Sequence, residues 1–152
     1  MELSLNIEKN LRKLSVYSEA LKISSKGEID ELHLFTSVDD LARHFNVYFS
    51  VKSMRLALHQ KWNYVPRLKP FKKLERLKFN FTLESNHSYR LLSGLLENTP
   101  ILKELALVGY CISSLTIKHP TLELVDLRAC EIERKKVKVD KGVKWVLMKE
   151  QN

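Results

Sequence analysis

Glycine, proline and cysteine are scarce in this chain: four Gly, four Pro and two Cys in 152 residues. So little Gly and Pro argues against a low-complexity or disordered chain. No apolar run approaches the roughly 18 residues that cross a membrane as a helix. The start, Met1-Glu2-Leu3-Ser4-Leu5, has an early acid and no basic segment ahead of an apolar stretch, so it does not read as a signal peptide. A reducing compartment, cytoplasm or nucleus, is therefore expected, with Cys111 and Cys130 as free thiols. In that setting the triplets Asn80-Phe81-Thr82 and Asn86-His87-Ser88 carry no glycosylation meaning.

Signs of chemistry are also missing. The histidines His33, His44, His59, His87 and His119 do not pair with each other or with a Cys at zinc-like spacing, and are expected to be ordinary surface or loop residues. There is no Gly-rich phosphate loop and no nucleophile elbow. Asp39-Asp40 falls at an expected helix start, where acids complement the positive helix end. Both cysteines are expected to be inert core thiols, because nothing places a base beside them. Neither enzyme activity nor a cofactor or metal is expected.

What is present is basic charge and leucine. The net charge is +8. Two places are dense in Lys and Arg: Arg67, Lys69, Lys72, Lys73, Arg76 and Lys78, and then Arg134, Lys135, Lys136, Lys138, Lys141 and Lys144. Such a surface favours acidic partners or nucleic acid, or simply keeps a small domain in solution.

The leucines repeat. Leu122-x-x-Val125-x-Leu127-x-x-Cys130-x-Ile132 fills every position of L-x-x-L-x-L-x-x-N/C-x-L, the leucine-rich-repeat pattern. Leu102-x-x-Leu105-x-Leu107-x-x-Tyr110-x-Ile112 departs only at Tyr110. Shorter copies start at Leu74, Val51, Ile29 and Leu11, and a further one at Ile112. The first strand apolar residues are 14, 32, 54, 77, 105 and 125, giving steps of 18, 22, 23, 28 and 20. Most steps suit this repeat class. In each x-L-x-L core the two apolar residues point the same way, because side chains alternate along a strand.

Between strands the pattern turns helical. Ser37 can cap a helix whose apolar residues 38, 41 and 45 share a face. Ser88 to Asn98 carries the stripe Leu91, Leu92, Leu95 and Leu96, stopped by Pro100. The core at Leu115 and Ile117 is ten residues from its neighbours, too close for a helical crossover. It belongs either on the opposite face of a 20-residue coil, the preferred placement, or in a local hairpin. The tail, Val137-x-Val139-Asp140-Lys141-Gly142-Val143-x-Trp145-x-Leu147, alternates around a turn and reads as a capping β-hairpin. The expected fold is an α/β leucine-rich-repeat solenoid forming one domain. It comprises an irregular part at 1–28, repeats at 29–132 and a basic C-terminal hairpin at 133–152.

Phe71-Lys72-Lys73-Leu74-Glu75-Arg76-Leu77-Lys78-Phe79, followed by Leu91 to Leu105 with its Leu95-Leu96-Glu97-Asn98-Thr99-Pro100-Ile101-Leu102 centre, resembles the repeat region of plant F-box proteins of the FBD type. The stretch Leu115-Thr116-Ile117-Lys118-His119-Pro120-Thr121-Leu122 resembles their "L-x-I-x-x-P-x-L" repeats. The likeness covers about residues 29 to 132. It implies the substrate-recruiting part of a cullin-type ubiquitin ligase. The F-box, a helical module opening with Leu-Pro, is absent, so binding to the ligase adaptor is not expected.

If the leucines face the core, the intervening residues face out: Ser53, Arg55 and Ala57; Arg76, Lys78 and Asn80; Glu104, Ala106 and Val108; Leu124, Asp126 and Arg128. Ser114, Thr116 and Lys118 would join them if Leu115 lay on the same sheet. From this set Arg55, Arg76, Lys78, Asn80, Glu104, Ala106, Val108, Asp126 and Arg128 are the candidate partner-binding face. Trp62 and Tyr64 are either exposed anchors or covers of the core edge. The expected function is non-catalytic recognition of a protein substrate. The alternatives are a basic nucleic-acid-binding protein and a truncated, non-functional or regulatory product.

Overall fold

The computed structural model describes residues 3–17, 21–37, 51–58, 67–81, 86–110 and 112–148. They form a parallel-strand solenoid with little helix. Seven strands make the main sheet, in the spatial order β11-β9-β7-β6-β5-β4-β2. They are β2 (Leu11–Val16), β4 (Ile29–Thr36), β5 (Val51–Leu58), β6 (Arg76–Phe81), β7 (Glu104–Gly109), β9 (Leu124–Cys130) and β11 (Lys144–Leu147). Every pairing is parallel. Two small parallel sheets flank it. One joins β1 (Leu3–Ile7) to β3 (Leu21–Ser25), and the other joins β8 (Leu115–Ile117) to β10 (Val137–Val139).

The repeat anchors meet in one row. Leu14 pairs with Leu32, Leu32 with Met54, Met54 with Leu77, Leu77 with Leu105 and Leu105 with Val125. The row continues to Trp145, opposite Val125. Irregular spacing in sequence thus becomes exact stacking in space, because inserted residues are absorbed in the connections. Leu56, Phe79 and Leu107 form the adjacent row. Both rows point into one core, which also takes Leu115, Ile117 and Val137 from the flanking strands and Leu91, Leu92 and Leu95 from the helix Asn86–Glu97.

The corners entering the main sheet are tied by backbone hydrogen bonds from coil to coil. Glu75 N donates to Lys52 O, Lys103 N to Glu75 O, Glu123 N to Lys103 O and Lys144 N to Glu123 O, at 2.8–3.0 Å. These bonds satisfy backbone groups that the short strands leave over.

The helix carries the expected leucine stripe. Thr99 caps its end, the hydroxyl donating to Leu95 O at 3.0 Å, one residue before Pro100. Within it, Gly94 has room for a methyl group, whose nearest neighbour would be Leu68 Cδ1 at 3.6 Å. Gly94→Ala is therefore expected to raise stability by about 0.5–1 kcal/mol, the usual gain of Ala over Gly inside a helix. Urea denaturation measures it.

Two expectations change, and one open alternative is decided. The C-terminal hairpin is not formed: β10 pairs with β8 and β11 with β9, so the two tail strands lie in different sheets and make one more coil. Alternating residues around a turn look the same in a hairpin and in a coil corner. Here Gly142, at φ 88°, makes the corner, and Asp140 N donates to Ile117 O of the coil before it. Residues 1–28, expected to be irregular, contain β1, β2 and β3. They form coils of 18 residues, with Leu3 opposite Leu21 and Leu11 opposite Ile29. Finally, β8 lies outside the main sheet, as the coil placement required, so Ser114, Thr116 and Lys118 do not join the outward face. The expected helix at 38–45 falls outside the described residues, as do Trp62, Tyr64 and Cys111.

Candidate interaction face

Alternation along the main strands puts one set of side chains on the outward face of the sheet, and strand register sorts them into rows. The first row runs Lys13, Glu31, Ser53, Arg76, Glu104, Leu124 and Lys144. The second runs Ser15, His33, Arg55, Lys78, Ala106, Asp126 and Val146. The third includes Phe35, Ala57, Asn80, Val108 and Ala129. Of the nine candidate residues, eight fall in these rows. Arg128 does not: the register between β7 and β9 shifts between Ala106 and Val108, so Ala129 rather than Arg128 meets Val108. The bulge leaves Arg128 exposed beside Asp126.

The middle parts of the first two rows line a groove of about 860 Å³ that crosses the sheet from Arg12 and Lys13 to Leu124 and Asp126. Along the third row a smaller hollow of about 240 Å³ is lined by Tyr17, Phe35, Ala57 and Val108, with Arg55 and Lys78 on its border. Tyr17 is 73% exposed, and its ring centroid lies 6.4 Å from that of Phe35.

Two of the three carboxylates on this face, Glu31 and Asp126, are already engaged, and the third, Glu104, stands opposite Arg76. His33 Nε2 donates to Glu31 Oε1 at 2.6 Å. That bond is the main reason Glu31 sits below the ordinary carboxylate range, with Lys13 and Arg55 adding and partial desolvation opposing. Asp126 is held by both Nε and Nη2 of Arg128, at 3.0 and 2.8 Å. The same contact lowers its pKa and raises that of Arg128. By contrast, no ion pair joins Arg55, Arg76 or Lys78 to any described residue. Arg55 and Lys78 are direct register partners, and like charges side by side on neighbouring strands oppose folding.

The basic clusters read from the sequence are partly taken up in local contacts. Lys73 pairs with Glu28 at 2.7 Å, while Arg76 and Lys78 face out from β6. In the tail, Arg134 lies over the Trp145 ring at 4.8 Å and Lys135 pairs with Glu133 at 3.3 Å.

Other groups singled out in the sequence prove structural. His119 is buried within the loop that follows β8. Its Nε2 donates to Thr99 O at 2.7 Å, its Nδ1 accepts from Thr121 N at 3.2 Å, and its own N–H donates to Asp140 Oδ2 at 3.2 Å. It ties the end of the helix to the two coils that follow. Cys130 is buried, and its thiol donates to Leu107 O at 3.1 Å beside the bulge. Burial first, then the charge of Asp126, pushes its pKa up to about 11. In a Cys111→Ser background, iodoacetamide should label Cys130 at pH 8 only after denaturant is added, since the thiolate is the reactive form. The unfolded thiol, near its ordinary value of 9.0, releases its proton before the folded one does. Stability should therefore fall as pH rises from about 9 to about 11. Fast labelling of the native chain at pH 8 would contradict this.

Sequence reasoning missed Lys13, Glu31, His33, Tyr17 and Phe35. They occupy the outward positions of the two weakest repeats, and the alternation that located Arg55 and Lys78 would have found them too. Among the described residues, no group of three or more His, Cys, Asp or Glu side chains is placed to hold a metal ion. No described helix is long and apolar enough to cross a membrane. A scan against protein-family models finds no match, nor does comparison with curated proteins or with solved structures.

Proposed function

We propose that the chain is a leucine-rich-repeat-type recognition module that binds a protein partner on the outward face of its main sheet. The observation that carries this reading is the set Arg55, Arg76 and Lys78, exposed together over a groove and in no ion pair with a described residue. A partner carboxylate would relieve their repulsion, so binding and the cost to folding have one cause. The likeness of residues 29 to 132 to F-box repeat proteins supports substrate recruitment as the biological setting. A ligase role would need an F-box to reach the adaptor.

Affinity capture tests the reading. The native chain should recover one specific protein. The double reversal Arg55→Glu/Lys78→Glu should lose it, while Lys135→Glu/Lys136→Glu on the last coil should keep it. Equal loss with both variants would point to bulk charge alone. Retention by the first variant would show that the face is wrongly assigned.

A further inference from the structure

The arrangement of charge and apolar surface on the outward face specifies more than a general acidic partner. Arg76 and Lys78 stand two residues apart on β6, facing the same way, and Asn80 follows at the next outward position. Around Asn80, Ala57 and Val108 are its register partners, and they line the smaller hollow together with Tyr17 and Phe35. Arg55 and Lys78 border both the groove and the hollow. Along β6 the face therefore reads cation, cation, apolar hollow, in steps of two residues, or roughly 6.7 Å each.

We propose that this face takes an extended peptide segment of its partner with the pattern acid-x-acid-x-apolar, lying along β6. The inference rests on the interaction reading above and names its ligand class. An extended peptide turns alternate side chains to one side with the same step as the strand beneath it. Its two carboxylates would meet Arg76 and the Arg55–Lys78 pair, and its apolar side chain would enter the hollow between Phe35 and Val108. The face's own Glu31 and Asp126 are bonded to His33 and Arg128, while still feeling the charge of Arg55 and Lys78, and Glu104 stands opposite Arg76; the peptide's carboxylates therefore compete with these three acids for the cations.

Panning a phage-displayed random peptide library on the folded full chain tests the proposal. Enriched peptides should carry two Asp or Glu residues spaced by one, followed two positions on by Leu, Ile or Phe. Their affinity, measured by fluorescence polarisation, should fall about tenfold or more with Lys78→Glu and with Val108→Asp, and should weaken as salt is raised. Circular dichroism on each variant checks that it is folded, and Lys78→Gln, a milder change, should lose affinity in the same direction. Enriched peptides without acids, but blocked by Ala57→Arg or Ala106→Arg, would overturn the acidic pattern and leave the interaction face standing. Peptides unaffected by any of these variants would overturn both. No enrichment at all, or tighter binding of a poly-uridine oligonucleotide than of any peptide, would overturn the peptide occupant.

Discussion

Truncating Phe79 to Ala is expected to remove about 3–5 kcal/mol of folding stability, the usual range for a buried Phe. Phe79 is completely buried in β6, with Leu56 on one side and Leu107 on the other in strict register. The hole left by its ring cannot close easily. Its lateral neighbours are pinned by backbone ladders, and Leu77, two residues earlier on the same face, is buried as well. In a solenoid each coil rests only on those beside it, so weakening a central coil also loosens its two halves from each other. Small domains have only about 5–15 kcal/mol in total, so the variant should lose a large share of its stability. Urea denaturation followed by circular dichroism measures the loss. A change below about 1 kcal/mol would place Phe79 outside the core.

Gly27→Ala is expected to be the most damaging small substitution, at about 1–3 kcal/mol by the measure of overpacked cores. A Cβ on Gly27 would lie 2.4 Å from Lys9 O and 2.8 Å from Asn10 N. These are backbone atoms, so no side chain can rotate away. The corner at 26–28 sits directly on the corner at 8–10. Lys26 N donates to Ile7 O at 2.8 Å, Leu11 N to Glu28 O at 2.9 Å and Glu28 N to Asn10 Oδ1 at 2.8 Å. A methyl group there must pry these bonds apart. The change that should strengthen the chain at Gly94 should thus weaken it at Gly27, and thermal melts of the two variants should move in opposite directions.

The main strands were legible because two signals coincide in them: the alternation of a half-buried strand and a leucine anchor at each repeat. Leu14, Leu32, Met54, Leu77, Leu105 and Val125 all reappear as one row. The seventh member, Trp145, was hidden because its coil has Gly142 where the pattern wants a leucine. Alternation marks its strand but fits a hairpin equally well, since it records which side chains are buried and not which strand lies alongside. β1 and β3 were overlooked for a related reason, being short strands paired across 18 residues without the full motif. Most of the outward residues followed from alternation alone. What alternation could not supply was the pairing of charges: that Asp126 is held by Arg128 across a bulge, that Glu31 is held by His33, and that Arg55 and Lys78 are left facing each other. Those facts depend on register and side-chain reach. The role of His119 was likewise invisible, because its partners Thr99 and Asp140 are 20 and 21 residues away.

The central claim is that one parallel ladder carries the repeat anchors inward and, in the same register, sets Arg55 beside Lys78 outward. Backbone nuclear Overhauser contacts in an isotope-labelled sample test it most directly. The account predicts cross-strand contacts linking Met54, Leu77, Leu105, Val125 and Trp145 in that order, and Arg55 with Lys78, without the short Hα–Hα contacts of antiparallel pairs. Close Hα–Hα contacts between the segments 137–139 and 143–147 would contradict it by restoring the hairpin. So would a register displaced by one residue, which would turn Arg55 and Lys78 into the core.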